Sequence, residues 1–462
     1  MAVIVSASGI RGTTEGKVGE NLTPLDALQW VGAWGLWLER QYGGPCKVIV
    51  GQDARPSGAI LRPIVIQALR AQGHTIEDAG LTTTPTIAMA IPYRKAQGGL
   101  ILTASHNPAG WNALKLLGSN GEFYPPSVIE EVQQLRDSLT FSYTENPGQV
   151  YAAEGLLSYH IESILRLPGV HPEAIRQAQL KVIVDGICSG GAVAVPALLE
   201  ALGVSHIEVL NGEPHGRFPR PPEPLPENLT DLSQQVRAKG AHLGIAVDPD
   251  VDRVAFILPS GEPFGEEYSL VAVADYVLRY EKGPVVANAS TTRAVAEVAA
   301  RHQVPFYESR VGEYYVVQKM KAHGAVIGGE GNGGIIYPRL HYGRDALVGI
   351  ALLLSYLAQE GGDALRLRAR YPNHAMVKAK ITLSAPLPPN LWQRLAEEAG
   401  AAEISLEDGL KLRWEEKWIH LRSSATEPLV RLIAEANTEA EAQALIRFWQ
   451  ERLQAYAGIA AV

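Results

Sequence analysis

The chain has 462 residues, of which 46% are hydrophobic, and its formal net charge is −8. This length predicts several domains with large buried cores, and the negative charge argues against nucleic acid as a main partner. The cysteines are Cys46 and Cys188 alone, so we expect no disulfide framework and a reducing, cytoplasmic location.

Two apolar stretches raise the question of a membrane. The N-terminal stretch MAVIVSASGIRG is too short in its apolar part for a signal peptide. The apolar run at residues 346–358 is shorter than the ~20 residues of a membrane helix. We therefore predict a buried helix there and no membrane association.

One pattern recurs three times, starting at Lys47, Lys181 and Pro284. Each copy is a β-branched run, a polar or glycine-rich turn, an amphipathic run and a second strand-like run. This is the pattern of a βαβ unit with parallel strands and a right-handed crossover. Three copies predict three similar α/β domains.

The C-terminal part has a different pattern. Its segments between residues 374 and 436 alternate as antiparallel strands do. A closing helix is predicted from Thr438 to about Ala455, with Thr438 as its cap and with Glu439 and Glu441 in its first turn. We predict a smaller α+β domain.

Polar or proline-rich segments indicate the domain boundaries. They lie near residues 143–155, 259–267 and 366–373, whereas the proline-dense segment 219–226 reads as a rigid loop inside the second domain. The predicted domains are 1–150, 151–258, 259–369 and 370–462.

An acidic hexapeptide stands between two apolar strand-like runs. It contains Asp248, Asp250 and Asp252 at alternate positions, followed by Arg253. Alternate carboxylates in an extended turn can converge on one point, and such oxygen ligands suit Mg²⁺. An EF-hand is excluded because Arg253 stands where that loop needs glycine. The alternative is a solvated acidic turn.

A second motif, Thr-Ala-Ser-His-Asn-Pro at residues 103–108, follows the apolar run 99–102. Ser105 lacks a Gly-x-Ser-x-Gly elbow, and the adjacent His106 is poorly placed for a catalytic triad. A serine that carries phosphate removes this difficulty. Its charge of about −1.5 to −2 would need Mg²⁺ and cations such as Arg253, Arg11 and Lys115, which suggests phosphoryl transfer.

A glycine-rich segment at residues 328–334 matches Gly-x-Gly-x-x-Gly. A dinucleotide site would require a helix next, whereas the following residues, 335–338, look like a strand that ends at proline. We predict instead a flexible loop that presents Glu330 and Asn332 to sugar hydroxyls.

The last motif is Arg-Ser-Ser-Ala-Thr-Glu-Pro at residues 422–428, with Arg431 beyond it. Arginines, hydroxyls and turn N–H groups in one short loop are suited to hold a phosphate. The alternative is a capped turn with exposed arginines.

Together these four motifs resemble those of the α-D-phosphohexomutases, a family that includes phosphomannomutases, phosphoglucomutases and phosphoglucosamine mutases. The segments 8–12 and 50–58 match as well, so the resemblance spans essentially the whole chain. It implies four domains around a central cleft.

The resemblance also implies roles. Ser105 would be the phosphoserine, and the three aspartates would hold Mg²⁺ together with its phosphate. Arg253 would support that phosphate, with Arg11 and Lys115 lining the centre. Lys115 would be an acid/base whose pKa the cationic neighbourhood must lower. Residues implied to bind substrate are Glu330, Asn332, Arg422, Ser424, Thr426 and Arg431.

The implied reaction interconverts hexose 6-phosphate and hexose 1-phosphate through a hexose 1,6-bisphosphate intermediate. Mannose phosphates are our first hypothesis, glucose phosphates are also expected, and phosphoglucosamine mutase is the alternative. Gly334 stands where many members have histidine, Gly331 replaces an acidic residue, Ala113 follows Asn112 in place of glycine, and Ala425 stands where glycine or asparagine is common. These departures concern the sugar more than the chemistry.

Two other classes remain open at this point. A metal-dependent phosphohydrolase with a serine nucleophile should have a second, histidine-rich metal site, which the sequence pattern does not reveal. A non-catalytic sugar-phosphate binder is expected to lack Ser105 or one aspartate, yet all are present.

Overall fold

The computed structural model describes residues 3–141, 143–383, 387–400, 403–424 and 429–457. Within these residues the chain forms four β-sheets, each built from one continuous part of the sequence. The first three are mixed sheets with parallel strands at their centre, and the fourth is antiparallel. This is the predicted arrangement of three similar α/β domains and a smaller α+β domain.

The first domain is built around the largest sheet. Its elements are β1 (Ile4–Ser6), β2 (Gly9–Thr13), α1 (Pro24–Tyr42), β3 (Lys47–Gln52), α2 (Pro56–Ala71), β4 (Thr75–Leu81), α3 (Thr84–Arg94), β5 (Gly98–Leu102), β6 (Trp111–Gly118), α4 (Pro126–Asp137) and β7 (Val150–Ala152). The strand order is β1-β2-β6-β5-β3-β4-β7. Strand β3 is parallel to β4 and β5, and β6 returns antiparallel to β5.

Side chains of β3 alternate between two hydrophobic cores. Val48 and Val50 pack with residues of α1 and α2, whereas Ile49 packs with residues of α3. Helices therefore cover both faces of this sheet, which explains why Val48, Ile49 and Val50 are apolar and buried in succession.

The second domain repeats this plan in a smaller sheet. Its elements are α5 (Leu156–Leu165), α6 (Pro172–Gln177), β8 (Lys181–Asp185), α7 (Gly191–Leu202), β9 (His206–Leu210), a 3₁₀ turn (Pro226–Asn228), α8 (Thr230–Ala238), β10 (Leu243–Val247) and β11 (Val254–Ile257). The strand order is β11-β10-β8-β9, and β11 is antiparallel to β10.

The third domain follows the same plan. Its elements are α9 (Glu266–Tyr280), β12 (Val285–Asn288), α10 (Ala294–Arg301), β13 (Phe306–Ser309), α11 (Glu313–His323), β14 (Ile327–Glu330), β15 (Gly334–Ile336), α12 (Ala346–Gln359) and α13 (Ala364–Arg368). The strand order is β13-β12-β14-β15, and β15 is antiparallel to β14.

Helix α12 is the buried helix that the apolar run predicts. Asp345 caps it by accepting hydrogen bonds from the N–H groups of Leu347 and Val348. Its side chains join residues of β8 and α7 in one core shared by the second and third domains. Among the described residues, no helix is both long and apolar enough to span a bilayer.

The fourth domain has its own core. Its described elements are β16 (Ala375–Thr382), α14 (Leu391–Glu397), β17 (Glu403–Ser405), β18 (Leu410–Arg413), β19 (Trp418–Ser423), β20 (Leu429–Ala436) and α15 (Glu439–Ala457). All strand pairs are antiparallel in the order β16-β20-β19-β18-β17. Thr438 and Glu441 form the reciprocal capping bonds that start α15, so the predicted cap is confirmed.

Candidate active site

The predicted motifs occupy equivalent places in the first three domains. In each of the first three domains, the motif forms the turn that leads into an antiparallel strand: residues 103–110 before β6, 248–253 before β11, and 331–333 before β15. The fourth motif begins at the end of β19. The repeated plan therefore carries polar turns at corresponding ends of the sheets.

Ser105 meets the acidic motif across the interface of the first two domains. Its hydroxyl donates a hydrogen bond of 2.6 Å to Asp248 Oδ2, although the residues are 143 positions apart. Ser105 is buried, and its φ of +48° lies in the left-handed region. Arg55 Nη2 donates a hydrogen bond to the carbonyl of Ser105, and the N–H of Ser105 donates one to Thr103 Oγ1. Both main-chain polar groups of Ser105 are therefore fixed.

The three aspartates converge as the alternation predicts. Asp248, Asp250 and Asp252 are fully buried, and one oxygen of each lies within 4.8 Å of the others. Val251, between the last two, has a φ of +63°, which a β-branched residue rarely adopts. The surrounding structure must therefore hold this turn in a strained shape that brings the carboxylates together.

In Asp250 and in Asp252, one carboxylate oxygen accepts hydrogen bonds and the other accepts none. Asp250 Oδ2 accepts hydrogen bonds from Thr84 Oγ1 (2.5 Å) and Lys115 Nζ (2.6 Å). Asp252 Oδ2 accepts from Lys115 Nζ (3.2 Å) and Arg344 Nη2 (2.7 Å). Within the described part of the chain, Oδ1 of both aspartates is buried without a hydrogen-bond donor. These oxygens fit a hard divalent cation such as Mg²⁺, which takes oxygen ligands.

The pKa values of Asp248 and Asp252 are shifted in opposite directions. Burial and then the neighbouring carboxylates raise the pKa of Asp248 well above its usual value. Burial also opposes ionisation of Asp252, but the charges of Arg344 and Lys115 lower its pKa below the usual range. Like charges in one buried place favour the binding of a cation there.

Lys115 corrects one prediction. We expected a cationic neighbourhood to lower its pKa. Burial does lower it, but the charges of Asp250 and Asp252 outweigh burial, and the pKa is raised. The expectation was wrong because the carboxylates contact the ammonium directly, so Lys115 is held as a cation.

Arg11 and Arg253 bring further positive charge to the centre. Arg253 Nη1 pairs with Glu223 at 3.0 Å, and Arg11 donates to the Ser8 carbonyl and to Asn107 Oδ1. Burial and then the charge of Arg253 lower the pKa of Arg11. Among the described residues, the buried Nε groups of both arginines make no hydrogen bond, although Arg253 Nε lies 3.8 Å from Asp252 Oδ1. Donors without a hydrogen bond are expected of a site that binds an anion.

The glycine-rich segment is a tight hairpin and not the flexible loop that we predicted. Glu330 is the last residue of β14 and pairs with Gly334 of β15. Gly333 adopts a φ of +83°, which allows the chain to turn at once. Asn332 Oδ1 accepts the N–H of Gly334 at 3.3 Å.

Glu330 is also more constrained than predicted. Its carboxylate accepts hydrogen bonds from Asn288 Nδ2 (2.8 Å), the Gly312 N–H (3.0 Å) and Arg344 Nη1 (2.7 Å). Burial opposes its ionisation, but the charge of Arg344 lowers its pKa below the usual value. Glu330 is thus an ionised, fixed acceptor.

The predicted phosphate loop begins with two arginines side by side. Arg422 of β19 lies opposite Arg431 of β20, and Arg422 Nη1 is 3.7 Å from Asp408 Oδ2. The pKa of Arg422 lies below its usual value, mainly because of burial. The charge of Asp408 opposes this shift, and the charge of Arg431 adds to it. Ser424 follows and donates its N–H to the Leu429 carbonyl. Thr426 lies outside the described residues.

Sequence reasoning missed Arg344 and Thr84, both of which contact the aspartates. Arg344 is part of Gly-Arg-Asp just before α12, and Thr84, the last of three consecutive threonines, begins α3. Both motifs precede helices, but neither contains a spacing that predicts its distant partner.

A histidine cluster also went unrecognised. Asp345 Oδ2 accepts hydrogen bonds from His160 Nε2 (2.8 Å) and His341 Nε2 (3.2 Å). His160 Nδ1 contacts Thr86 Oγ1, and Asp345 Oδ1 caps α12. The expectation of no histidine-rich cluster was therefore wrong. These bonds engage both nitrogens of His160 and both oxygens of Asp345 and so join α5 to the start of α12. Among the described residues, the buried Nδ1 of His341 has no hydrogen-bond partner.

Models of the four domains of one protein family match the chain in order. They are phosphoglucomutase/phosphomannomutase alpha/beta/alpha domain I at residues 3–142, domain II at 158–261, domain III at 266–374, and the C-terminal domain at 374–448. The four ranges together account for most of the sequence.

Whole-chain relatives agree with this match. A probable phosphoglucosamine mutase of Methanopyrus kandleri is 34% identical, with 96% of each chain covered. A phosphoglucomutase/phosphomannomutase of Thermococcus kodakarensis is 32% identical, again with 96% of each covered.

Solved structures show the same architecture. A phosphoglucomutase/phosphomannomutase family protein of Burkholderia thailandensis is 25% identical, with a TM-score of 0.84 and 99% of each chain covered. The parafusin phosphoglucomutase of Paramecium, at 15% identity, shares the fold with a TM-score of 0.80 over 99% of this chain and 96% of its own. The chain therefore belongs to the phosphoglucomutase/phosphomannomutase family of phosphohexomutases, which are isomerases.

Proposed function

We propose that this enzyme is a Mg²⁺-dependent mutase that interconverts hexose 6-phosphates and hexose 1-phosphates through a phosphoserine at Ser105. The observation that carries the proposal is the 2.6 Å contact of Ser105 with Asp248, next to two buried, unpaired aspartate oxygens. A reactive hydroxyl and a cation site at one point suit phosphoryl transfer.

Asp248, Asp250 and Asp252 would hold Mg²⁺ together with the phosphate on Ser105. When bound, the cation supplies charge stabilisation for a transferring phosphoryl group. Arg253 and Arg11 would face the same phosphate from the side where their Nε groups lack acceptors. These fixed cations need no rearrangement when charge develops, which is the main source of catalysis in such sites.

The transfer moves one phosphoryl group and one proton. The phosphorus–oxygen bond to Ser105 Oγ breaks while a bond to a sugar oxygen forms, which gives a hexose 1,6-bisphosphate. The sugar hydroxyl loses a proton and the serine oxygen gains one. We assign both proton transfers to Lys115, whose ammonium lies 2.6 Å from Asp250 and 3.2 Å from Asp252 in the same centre. It would donate a proton to the serine oxygen and then accept one from the sugar hydroxyl.

The second half-reaction needs the bisphosphate to present its other phosphate to Ser105. Arg422, Ser424, Thr426 and Arg431 would hold whichever phosphate is not being transferred. The cross-strand pair of Arg422 and Arg431 supports this role, because two adjacent guanidinium groups are suited to a doubly charged anion. Glu330 and Asn332 would contact the sugar between the two sites.

Mannose phosphate is our first candidate for the sugar, and glucose phosphate is the next. The ionised Glu330 carboxylate already accepts three hydrogen bonds, one of them from Arg344 at 2.7 Å, so its remaining acceptor capacity suits one sugar hydroxyl. The second candidate function is phosphoglucosamine mutase, which the names of relatives such as that of Methanopyrus kandleri favour.

Rates on mannose, glucose, glucosamine and N-acetylglucosamine 1-phosphates, measured with Mg²⁺ and a trace of hexose 1,6-bisphosphate, test the proposal. Turnover that is fastest on mannose or glucose phosphate is expected. A preference for glucosamine phosphate would change the proposed substrate to that sugar and leave the proposed mutase reaction unchanged. Release of inorganic phosphate without isomerisation would instead support a phosphohydrolase, and binding without either reaction would support a non-catalytic binder.

A further inference from the structure

One arginine that the proposed reaction does not use contacts three carboxylates at once. Arg344 lies 2.7 Å from Asp252 through Nη2, 2.7 Å from Glu330 through Nη1, and 3.0 Å from Glu313 through Nε. Its side chain is 8% exposed. The three partners come from the metal-binding turn, the sugar-binding hairpin and the first turn of α11.

These contacts fix the carboxylates of Asp252 and Glu330 relative to each other. Arg344 and Lys115 both donate to Asp252 Oδ2, and within the described residues Oδ1 of that carboxylate accepts no hydrogen bond. The other end of the same guanidinium donates to Glu330 Oε2. A planar guanidinium has its donors at set angles, so a shift of one carboxylate shifts the other.

Gly334 provides the space for this side chain. A Cβ atom at position 334 would lie 2.4 Å from Arg344 Cδ and 3.1 Å from its Cγ. The backbone of Gly334 is outside the left-handed region, so its conformation does not demand glycine. The small residue is needed here because the arginine stem occupies the adjacent volume.

The backbone around Arg344 is joined to the metal-binding turn as well. The next residue, Asp345, caps α12 and accepts bonds from two histidines. The N–H of Ala346 donates to the carbonyl of Val251, which lies between two of the aspartates. The base of the arginine is thus as firmly held as its tip.

We propose that Arg344 is a positioning residue that couples the cation site to the sugar site, and that Gly334 is part of the same arrangement. This inference rests on the proposed function, because it assigns Asp252 to the cation and Glu330 to the sugar. It predicts that disturbance of either residue weakens both sites together.

The test uses Arg344→Lys, Gly334→Ala and the double variant. Arg344→Lys keeps the charge but lacks the fork, and Gly334→Ala displaces the fork without changing any charge. Arg279→Lys, which alters an arginine paired with Glu360, and Gly44→Ala, where an added Cβ meets nothing within 4 Å, are the matched controls. Mg²⁺ and hexose 6-phosphate binding are measured by titration calorimetry, alongside kcat, KM and the thermal midpoint.

Each single variant is expected to lower kcat/KM and to weaken Mg²⁺ binding by about 10- to 100-fold, as losses of residues behind metal ligands do. Because both variants break one contact, the double variant should be no worse than the more damaged single variant. The two controls should keep wild-type binding.

The inference would be overturned if both single variants bind Mg²⁺ and the sugar phosphate as the wild type does and show only a lower thermal midpoint. Arg344 would then serve only to stabilise the fold. Additive losses in the double variant would overturn the part assigned to Gly334. If Arg344→Lys does not fold, Gly334→Ala alone decides through the same measurements. Since calorimetry needs no turnover, a wild type that binds both ligands without isomerising them contradicts the proposed function and not the coupling.

Discussion

The acidic turn before β11 and the arginine pair of β19 and β20 are both clusters of like charge, but they are built differently. The aspartates are fully buried, and Lys115 and Arg344 already contact two of them. Arg422 is 19% exposed, and its described carboxylate neighbour, Asp408, stands 3.7 Å away.

This difference matches the two tasks that we propose. A reacting centre must be fixed before the substrate arrives, because preorganised charge stabilises the transition state without rearrangement. A site that holds either phosphate of a turning bisphosphate must instead release its ligand in every cycle. Arg422, which is partly exposed and pairs with Asp408 at 3.7 Å, suits that second task better than a fully buried residue would.

Removal of the Ser105 hydroxyl should have the largest effect on turnover, because it removes the group that meets the buried acidic turn. Ser105→Ala should lower mutase turnover by at least about a thousandfold, since loss of a covalent nucleophile has effects of that order or larger. The thermal midpoint should stay near that of the wild type, and intact-mass analysis should no longer detect a phosphatase-sensitive phosphate.

The matched control is Ser163→Ala, which removes a half-buried hydroxyl that donates to the Tyr159 carbonyl on α5. It should retain full turnover. Unchanged turnover in Ser105→Ala would remove Ser105 as the phosphate carrier.

A change in the acidic turn should have the next largest effect. Asp250→Asn should lower turnover by about 10²- to 10³-fold, because the amide offers a weaker ligand to the cation. Activity against Mg²⁺ concentration, after treatment with a chelator, measures the shift in half-saturation.

Asp408→Asn makes the same chemical change beside the arginine pair and should leave the Mg²⁺ dependence unaltered. Equal Mg²⁺ dependence in wild type and Asp250→Asn would show that the aspartate does not hold the cation.

The arginine pair should affect substrate more than metal. Arg422→Ala should raise KM for the hexose phosphate about 10- to 100-fold, the value of one or two charge-assisted hydrogen bonds. Its half-saturation for Mg²⁺ should stay constant. Arg394→Ala, on α14 of the same domain, is the control that should change neither constant.

A larger effect of Arg422→Ala on Mg²⁺ than on the phosphosugar would reassign that loop. Steady-state kinetics with both ligands varied distinguish the two outcomes.

The smallest effect concerns a buried acid outside both clusters. Burial raises the pKa of Glu267 to about 8, although the charge of Lys378 opposes the shift. Since the folded pKa lies above the unfolded one, Glu267 adds to stability fully below its unfolded pKa, and that contribution is lost as pH rises through about 8. The free energy of unfolding should thus fall as pH rises from about 4.5 and level off above about 8.

Glu267→Gln should flatten this dependence, whereas Glu262→Gln, at an exposed turn position, should preserve it. Chemical denaturation at several pH values between about 5 and 9 measures the slope. An identical slope in Glu267→Gln and wild type would exclude Glu267 as its source.

The sequence predicts the parts of this molecule that depend on local pattern. The recurrent units at Lys47, Lys181 and Pro284 become parallel βαβ units, and the alternating aspartates converge because a turn between two strands brings them to one point. Their meeting with Ser105 could be expected only because the two motifs suggest one chemistry.

What the sequence does not predict depends on contacts between distant segments. Thr84 is 166 residues from Asp250, and His160 is 185 residues from Asp345. The error on Lys115 has the same origin, because its pKa depends on carboxylates more than a hundred residues away. The glycines at 328–334 suggest a loop by composition, yet the pairing of Glu330 with Gly334 makes a tight hairpin.

The separation of 143 residues between Ser105 and Asp248 has a consequence for biosynthesis. At about 5 to 20 residues per second, a ribosome needs roughly 7 to 30 s to add the intervening chain. The first domain can fold during that interval, but its serine has no acidic partner. A nascent or truncated polypeptide that stops short of the second domain therefore carries an inert serine loop, and the acidic partner is added only after about half of the chain has been made.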